Sequence, residues 1–394
     1  MTTKLMKVEK ADALSAARSM NNATCPVLRQ CSMCVLDTHD DPQLTFDANG
    51  VCQYYPQYLR AVAEHIPAAL ERQVRLDALV DRIRLDGQGR PYDVVIGVSG
   101  GVDSTYVALL AKELGLRPLA VHCDNGWNSE LAVMNIENIV SRLGIDLFTY
   151  VIDWEEFRDI QMSFIKASVV DIELVSDHAI FATLFRQAAK HGVKHILSGT
   201  NVVTECTLPP HWIWHKTDHI NIQDIHRQFG TKRLKTYPFM DWRVKKLQQM
   251  FGRIIQTSIL NYVPYNKAQV KQRIIDELGW RDYGGKHYES VFTRFLQSYI
   301  LPTKFNIDKR RAHLSTLICS GQTTRDIALE ELKKETYPAD KILEDTEYVI
   351  KKLGLTTDEF ENIMRSPVKS YLDYPNNEKL LNFIYSVYHK ITRK

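Results

Sequence analysis

The sequence predicts an α/β protein: a doubly wound parallel sheet, preceded by a small cysteine-rich module and followed by a mainly helical C-terminal region. Three observations carry that reading. Between residues 94 and 200, short β-branched runs alternate with stretches of helical period, as in a parallel sheet with helices on both faces. Polar, glycine-bearing segments fall at the C-terminal ends of those strands, where open α/β sheets bind ligands. Four of the seven cysteines, Cys25, Cys31, Cys34 and Cys52, crowd the first part of the chain. The expected boundaries are residues 1–60, 61–240 and 241–394.

Taken in order, an amphipathic helix is expected over residues 58–85, and the turn DGQGR leads from it into a first strand. Val94, Val95, Ile96 and Val98 make that strand an apolar run, as burial on both faces requires. The helix that follows carries Tyr106, Val107, Leu109, Leu110 and Leu114 at apolar spacing. Further strands are expected at 117–123, 146–151 and 194–197, with helices over 130–143, 154–168 and 176–191. Residues 240–394 read as mainly helical, with loops around 283–286 and 301–311.

The composition narrows the class. With 394 residues, 44% hydrophobic and 25% charged, the chain has ample core for two or three domains. A net charge of +3 leaves no electrostatic footprint for nucleic acid or an anionic membrane. The N-terminus lacks a signal-peptide core, and no run of about 18 apolar residues predicts a membrane span. A cytoplasmic protein is expected. An odd number of cysteines argues against a disulfide framework.

The chemistry concentrates at VVIGVSGGVDST, residues 94–105. Gly100 and Gly101 allow a tight turn and a close backbone approach to a ligand. The helix beginning near Asp103 offers unpaired N–H groups to phosphate. Ser99, Asp103 and Ser104 add polar side chains for phosphate oxygens or magnesium. The lysine of a Walker A loop is absent. At the second strand end, in HCDNGWNSE, Asp124 is placed for a ribose hydroxyl or the adenine amine, although a plain helix-entry turn fits these residues equally. In LSGTNVVTE after the fourth strand, Gly199 permits close approach, Thr200 and Asn201 offer donors, and Glu205 offers an oxygen to magnesium.

Two later segments are richer in side chains than in motif. In LPPHWIWHKTDH, the faces of Trp212 and Trp214 with nearby His215 would suit a sugar, or the tryptophans simply anchor the loop. His211, His215 and His219 recur every four residues, a weaker pointer to metal. Between residues 284 and 321, Lys286, Arg294, Lys304, Lys309, Arg310 and Arg311 are candidates to bind phosphates or balance charge developing on them. Cys31-x-x-Cys34 forms a chelating knuckle, with Cys52 as a third thiolate. The second knuckle is broken at Tyr55, which leaves Cys25, His39 or an exogenous group as fourth ligand. Three cysteines also suit an iron–sulfur cluster with an open iron.

The S-G-G-x-D-S run resembles the signature of the PP-loop ATP pyrophosphatases, an adenine nucleotide alpha hydrolase-like group that includes GMP, NAD and asparagine synthetases. Joined to CSMCVLDT…FDANGVC, LSGTNVVTE, NIQDIHRQFG and GGKHYES…DKRRAHLS, it makes residues 31–321 resemble the N-acetyl sugar amidotransferases of bacterial surface-polysaccharide (lipopolysaccharide, O-antigen or nonulosonic acid) biosynthesis. Tyr55 stands where that family usually carries a fourth cysteine. The resemblance implies a ligase that adenylates an acetamido group on a nucleotide-linked sugar, releases pyrophosphate, and lets ammonia displace AMP to leave an acetamidino group.

It also implies the site. Val98, Ser99, Gly100, Gly101, Asp103 and Ser104 would hold ATP and pyrophosphate, with Asp124, Gly199 and Thr200. Asp103 and Glu205 would hold Mg2+, and Cys31, Cys34 and Cys52 a structural metal, zinc first. Asp103, Lys286, Lys304 and Arg310 would act in catalysis, and Trp212, Trp214 and His215 would meet the sugar. No cysteine sits in a glutaminase elbow, so ammonia is expected from a separate subunit, and the resemblance implies partners similar to the glutaminase and cyclase subunits of imidazole glycerol phosphate synthase. The alternatives are a PP-loop tRNA-thiolating enzyme using Cys123 and Cys206, and a non-catalytic ATP-binding protein.

Overall fold

A computed structural model describes residues 28–240, 254–285 and 288–378. Its centre is a sheet of five parallel strands: β1 (Val94–Gly97), β2 (Pro118–Asp124), β3 (Asp146–Val151), β4 (His195–Ser198) and β5 (Ile255–Ser258). Their spatial order is β3-β2-β1-β4-β5. In register, Val94 of β1 lies opposite Pro118 of β2 and His195 of β4. The chain winds from β1 toward β3, then returns to build β4 and β5 on the other side. The direction reverses beside β1, and the crevice at such a reversal is where open α/β sheets bind ligands.

Helices α1 (Tyr54–His65) and α2 (Ala69–Asp86) precede the sheet. One helix was expected there; Pro67 has no N–H to donate and disfavours helix at Ile66, so the segment breaks in two. Around the sheet lie α3 (Val102–Glu113), α4 (Glu130–Leu143), α5 (Trp154–Ala167), α6 (Leu174–Lys190), α7 (His219–Phe229) and α8 (Lys267–Leu278). Ser129 caps α4 by accepting the Ala132 N–H at 3.2 Å, and Gly144 ends it at φ +57°, which favours glycine. Val94, Val95 and Ile96 are fully buried, as a two-sided covering requires.

Two expectations for the C-terminal region are corrected. The sheet does not end before residue 240, because Ile255–Ser258 pairs with β4 as its fifth, edge strand. Residues 301–311 are not a loop. Helix α9 (Val291–Phe295) runs on as a π-helix over Leu296–Phe305, and α10 (Lys309–Cys319) starts after three intervening residues. Pro302 sits inside the π segment, leaving the ladder one bond short at that point because it has no N–H to donate. Helices α11 (Arg325–Lys333), α12 (Ala339–Leu353) and α13 (Thr357–Arg365) follow. The last two pack Val349, Leu353 and Phe360 with Phe292, Phe295 and Trp127 into one core shared with α5 and α7. Among the described residues no helix is long and apolar enough to cross a membrane.

Candidate functional site

The loop after β1 is held from both sides. Gly100 adopts φ +82°, and a Cβ there would lie 2.8 Å from the backbone oxygen of Ala132 in α4. Only glycine fits both the angle and the space. The Gly100 carbonyl accepts Trp280 Nε1–H at 2.7 Å and the Tyr283 hydroxyl. Fixing that carbonyl fixes the plane of its own peptide, whose Gly101 N–H points the opposite way, toward Ser99 Oγ at 3.3 Å. Ser99 Oγ and Ser104 Oγ lie 3.2 Å apart, and Ser104 caps back onto the Gly101 carbonyl at 3.1 Å. The sequence placed Ser99, Gly100, Gly101 and Ser104 in one cradle, and they are brought together in one.

Asp103 lies in the first turn of α3 and accepts a hydrogen bond from the Tyr265 hydroxyl. Burial, then the charge of Asp103, pushes the Tyr265 hydroxyl well above the usual phenol range, and Glu205 adds to the effect. Tyr265 therefore stays a donor and stands close to both expected magnesium ligands. Gly199 is packed on α3: its Cβ would meet Asp103 atoms at 3.1–3.2 Å. Thr200 Oγ1 bonds Ser258 Oγ at 2.8 Å across to the end of β5, a strand-end hydroxyl that the sequence reading missed. Asn201 caps a single turn, Val202–Glu205, by accepting the Thr204 N–H at 2.9 Å.

The end of β2 is tied to the end of β1. His122 Nδ1 donates to the Val98 carbonyl at 2.9 Å, so its Nε2 is the acceptor for Asn128 Nδ2 at 3.0 Å. Asn128 gives its other amide hydrogen to Asp124 Oδ1 at 3.0 Å. This chain fixes the Asp124 carboxylate beside the phosphate loop. The C-terminal region closes over the same place. The Glu289 carbonyl accepts the Ser129 N–H at 2.8 Å, Val291 N–H donates to the Trp127 carbonyl at 2.9 Å, and Ser290 bridges Asn128.

Several expected side chains serve structure instead. Lys304 Nζ donates to the carbonyls of Ile363 at 2.6 Å and Ser366 at 2.8 Å, capping the C-terminus of α13. Arg310 pairs with Asp308 at 2.7 Å and donates to the Lys334 carbonyl at 3.0 Å, beyond the end of α11. A cation at the negative end of a helix is a stabilising arrangement, and it takes both out of the catalytic role expected of them. Trp212 is 1% exposed in the core, so it has no face for a sugar. Trp214 stacks on Tyr371 with ring centres 5.1 Å apart and donates to Asp218 at 3.1 Å. The tryptophans anchor the loop, while His215 remains exposed beside Trp214. Lys286 and Cys25 lie outside the described residues. Residues sequence reasoning missed, Tyr265, Trp280, Tyr283 and Glu289, reach the loop from more than 150 positions away; Glu289 lay inside the GGKHYES segment but was given no role, and the other three carried no motif.

The cysteine module forms a compact thiol cluster. The Sγ atoms of Cys31, Cys34 and Cys52 all lie within 4.8 Å of one another and are fully buried. The N–H groups of Met33, Cys34 and Cys52 point at Cys31 Sγ at 3.3, 3.4 and 3.2 Å, donors that favour a thiolate. Three convergent soft ligands fit zinc or an iron–sulfur cluster. His39 is not among them; its Nε2 bonds Asn306 Nδ2. The module docks on the C-terminal helices. Arg311 pairs with Asp37 and, at 2.6 Å, Asp40; Arg325 donates to the carbonyls of Cys34 at 3.1 Å and Cys31 at 3.2 Å.

Fold and loop together define a PP-loop α/β protein, and comparison with known proteins agrees. Residues 92–201 match the asparagine synthase family. Residues 289–391 match the C-terminal domain of WbpG-like LPS biosynthesis proteins. The chain is thus a PP-loop protein with a WbpG-like C-terminal domain. It is 32% identical over 155 residues to the glutamine-hydrolyzing GMP synthase of Pyrobaculum aerophilum, covering 37% of this chain and 28% of that protein. It is 30% identical over 136 residues to the tRNA(Ile)-lysidine synthase of Thermus thermophilus, covering 34% of this chain and 23% of that protein. The matches span about a quarter of the length of these curated relatives. The NH3-dependent NAD synthetase of Campylobacter jejuni overlays with a TM-score of 0.28 at 16% identity, covering 52% of this chain and 94% of that one.

Proposed function

We propose that this chain is an ATP-dependent synthetase of lipopolysaccharide biosynthesis that forms AMP and pyrophosphate, converting an acetamido group on a nucleotide-linked sugar into an acetamidino group. One observation supports it above the others: a phosphate cradle at Ser99–Ser104, at the sheet's switch point, faces Glu289, the first residue of a region matching a family of LPS biosynthesis proteins. The pinned Gly101 N–H and the start of α3 suit pyrophosphate, and Asp124 suits the adenosine. Asp103 and Glu205 offer hard oxygen ligands that fit Mg2+, which would neutralise phosphate charge. The cysteine site fits zinc in a structural role, away from the chemistry.

The chemistry follows from leaving groups. An amide oxygen is a poor one; transferring AMP to it makes a good one, which ammonia can then displace. No cysteine stands in a glutaminase elbow, which fits ammonia supplied by a separate glutaminase; a cyclase-like partner is part of the same proposal, drawn from the family resemblance. The thiolase reading loses support at its thiols. Burial pushes Cys123 up to about 12 and raises Cys206 as well, leaving neither a ready nucleophile.

The test is nucleotide product analysis with ATP, magnesium, ammonium and a panel of UDP- and CMP-linked N-acetyl sugars. AMP and pyrophosphate with a one-unit mass decrease in one sugar is the expected result. AMP release triggered by tRNA instead, or ADP and phosphate, overturns the proposal.

A further inference from the structure

The phosphate loop has a carboxylate at its mouth that belongs to none of the strand-end motifs. A Cβ built on Gly101 would lie 3.5 Å from Glu289 Oε1 and 3.8 Å from its carboxyl carbon. The charge of Glu289 also reaches Tyr283, whose hydroxyl holds the Gly100 carbonyl. The backbone of Glu289 is meanwhile tied to the β2 side by the Ser129 N–H at 2.8 Å and by the Asn128–Ser290 bridge. Glu289 therefore spans the gap between the loop that suits pyrophosphate and the loop that carries Asp124. In a nucleotide lying across those two loops, the α-phosphate occupies that gap, and so does whatever becomes attached to it.

A carboxylate is a poor neighbour for phosphate oxygens. It is a good one for an ammonium ion and for a nitrogen gaining positive charge. We propose that Glu289 is the proton acceptor for the ammonia that displaces AMP; this rests on the synthetase reading above. As the C–N bond forms at the imidate carbon, the incoming nitrogen becomes cationic and gives one proton to the Glu289 carboxylate. The C–O bond then breaks, its electron pair leaves on the phosphate oxygen of AMP, and an amidinium remains. The former amide oxygen departs with AMP, so atoms and charge balance. The WbpG-like domain would thus supply the group that the PP-loop domain lacks for this half of the reaction.

The two halves can be read separately. Adenylation is followed as exchange of labelled pyrophosphate into ATP in the presence of the nucleotide sugar without ammonia, and amination as amidine formation. In Glu289→Gln, exchange stays within about twofold of wild type, while ammonia-dependent product falls on the order of 10²-fold or more, the usual size of a general-base contribution. Hydroxylamine, whose nitrogen once attached is far more acidic than that of ammonia and loses its proton to water without a base, restores turnover in the variant, which a merely structural role would not produce. Glu289→Asp keeps the charge and retains an intermediate rate. A parallel loss of exchange would assign Glu289 to magnesium or loop geometry and overturn the proposal, as would equal loss with hydroxylamine. Absence of exchange in the wild-type protein with every sugar overturns the synthetase reading itself, a distinct result.

Discussion

Replacing Gly100 by alanine tests the cradle where its geometry is tightest. The backbone there sits at φ +82°, a conformation that costs a residue with a side chain about 1–2 kcal/mol. The new methyl would lie 2.8 Å from the Ala132 carbonyl oxygen, so the loop or α4 must retreat by roughly half an ångström. Retreat strains the Trp280 and Tyr283 hydrogen bonds that aim the loop N–H groups. Displacements of about 1 Å in a site can cost ~10²-fold, so about tenfold in ATP affinity is expected here, or roughly 1.4 kcal/mol. Wild type is the reference, because the neighbouring Gly101 belongs to the same cradle. Fluorescent-nucleotide titration and denaturant unfolding of Gly100→Ala and wild type give the comparison. If Gly100→Ala binds ATP as tightly and folds as stably as wild type, the account of the loop is wrong.

Three further outcomes are expected. Lys304→Met loses about 1–2 kcal/mol of stability in urea unfolding, because three carbonyls at the end of α13 lose their cation, while ATP affinity is unchanged. Weakened ATP binding at normal stability would return Lys304 to the active site. Protein purified with its metal retained carries about one zinc ion, or one iron–sulfur cluster, per chain by elemental analysis; Cys34→Ser abolishes it and lowers the melting temperature. Burial opposes the charge of Asp86, but bonds from Lys194 at 2.7 Å, His195 and Arg82 outweigh it and hold its carboxyl well below the usual range. With the folded value depressed, the stabilisation is complete above about pH 4 and is lost as pH falls further. Asp86→Asn should flatten that acid limb of the unfolding profile, and an unchanged limb would refute the linkage.

The parts of the fold that were legible in the sequence are those whose signal is local. Helix α4 carries its own start, Ser129, and its own stop, Gly144, and the expected 130–143 span is the observed one. The apolar run before Gly100 marked β1 because both faces are buried. β5 was missed because IQTS, at a sheet edge, has neither an apolar run nor clear alternation. The misread cations show a different limit. A lysine or arginine near glycines suggests phosphate, but Lys304 and Arg310 answer to helix ends formed by residues 363–366 and 331–335, and only the fold brings those near. The same limit hid Tyr265, Trp280 and Glu289, whose roles depend on the loop they reach rather than on their neighbours in the chain.

Helix α10 is gripped on one side by the cysteine module, through Arg311 and through Ser315, which accepts the Val35 N–H at 3.3 Å. Its other side holds the segment after β4, where Thr316 accepts the Thr207 N–H at 3.0 Å and His313 reaches the Thr204 carbonyl. The consequence is for anyone who would trim this protein to its catalytic half. Cutting ahead of the sheet would discard the thiols and strip α10 of its outer support, exposing two guanidinium groups and the apolar face at Ile318 and Ala328 that Val35 covers. The loss would be felt one helix further in, at the turn that presents Glu205.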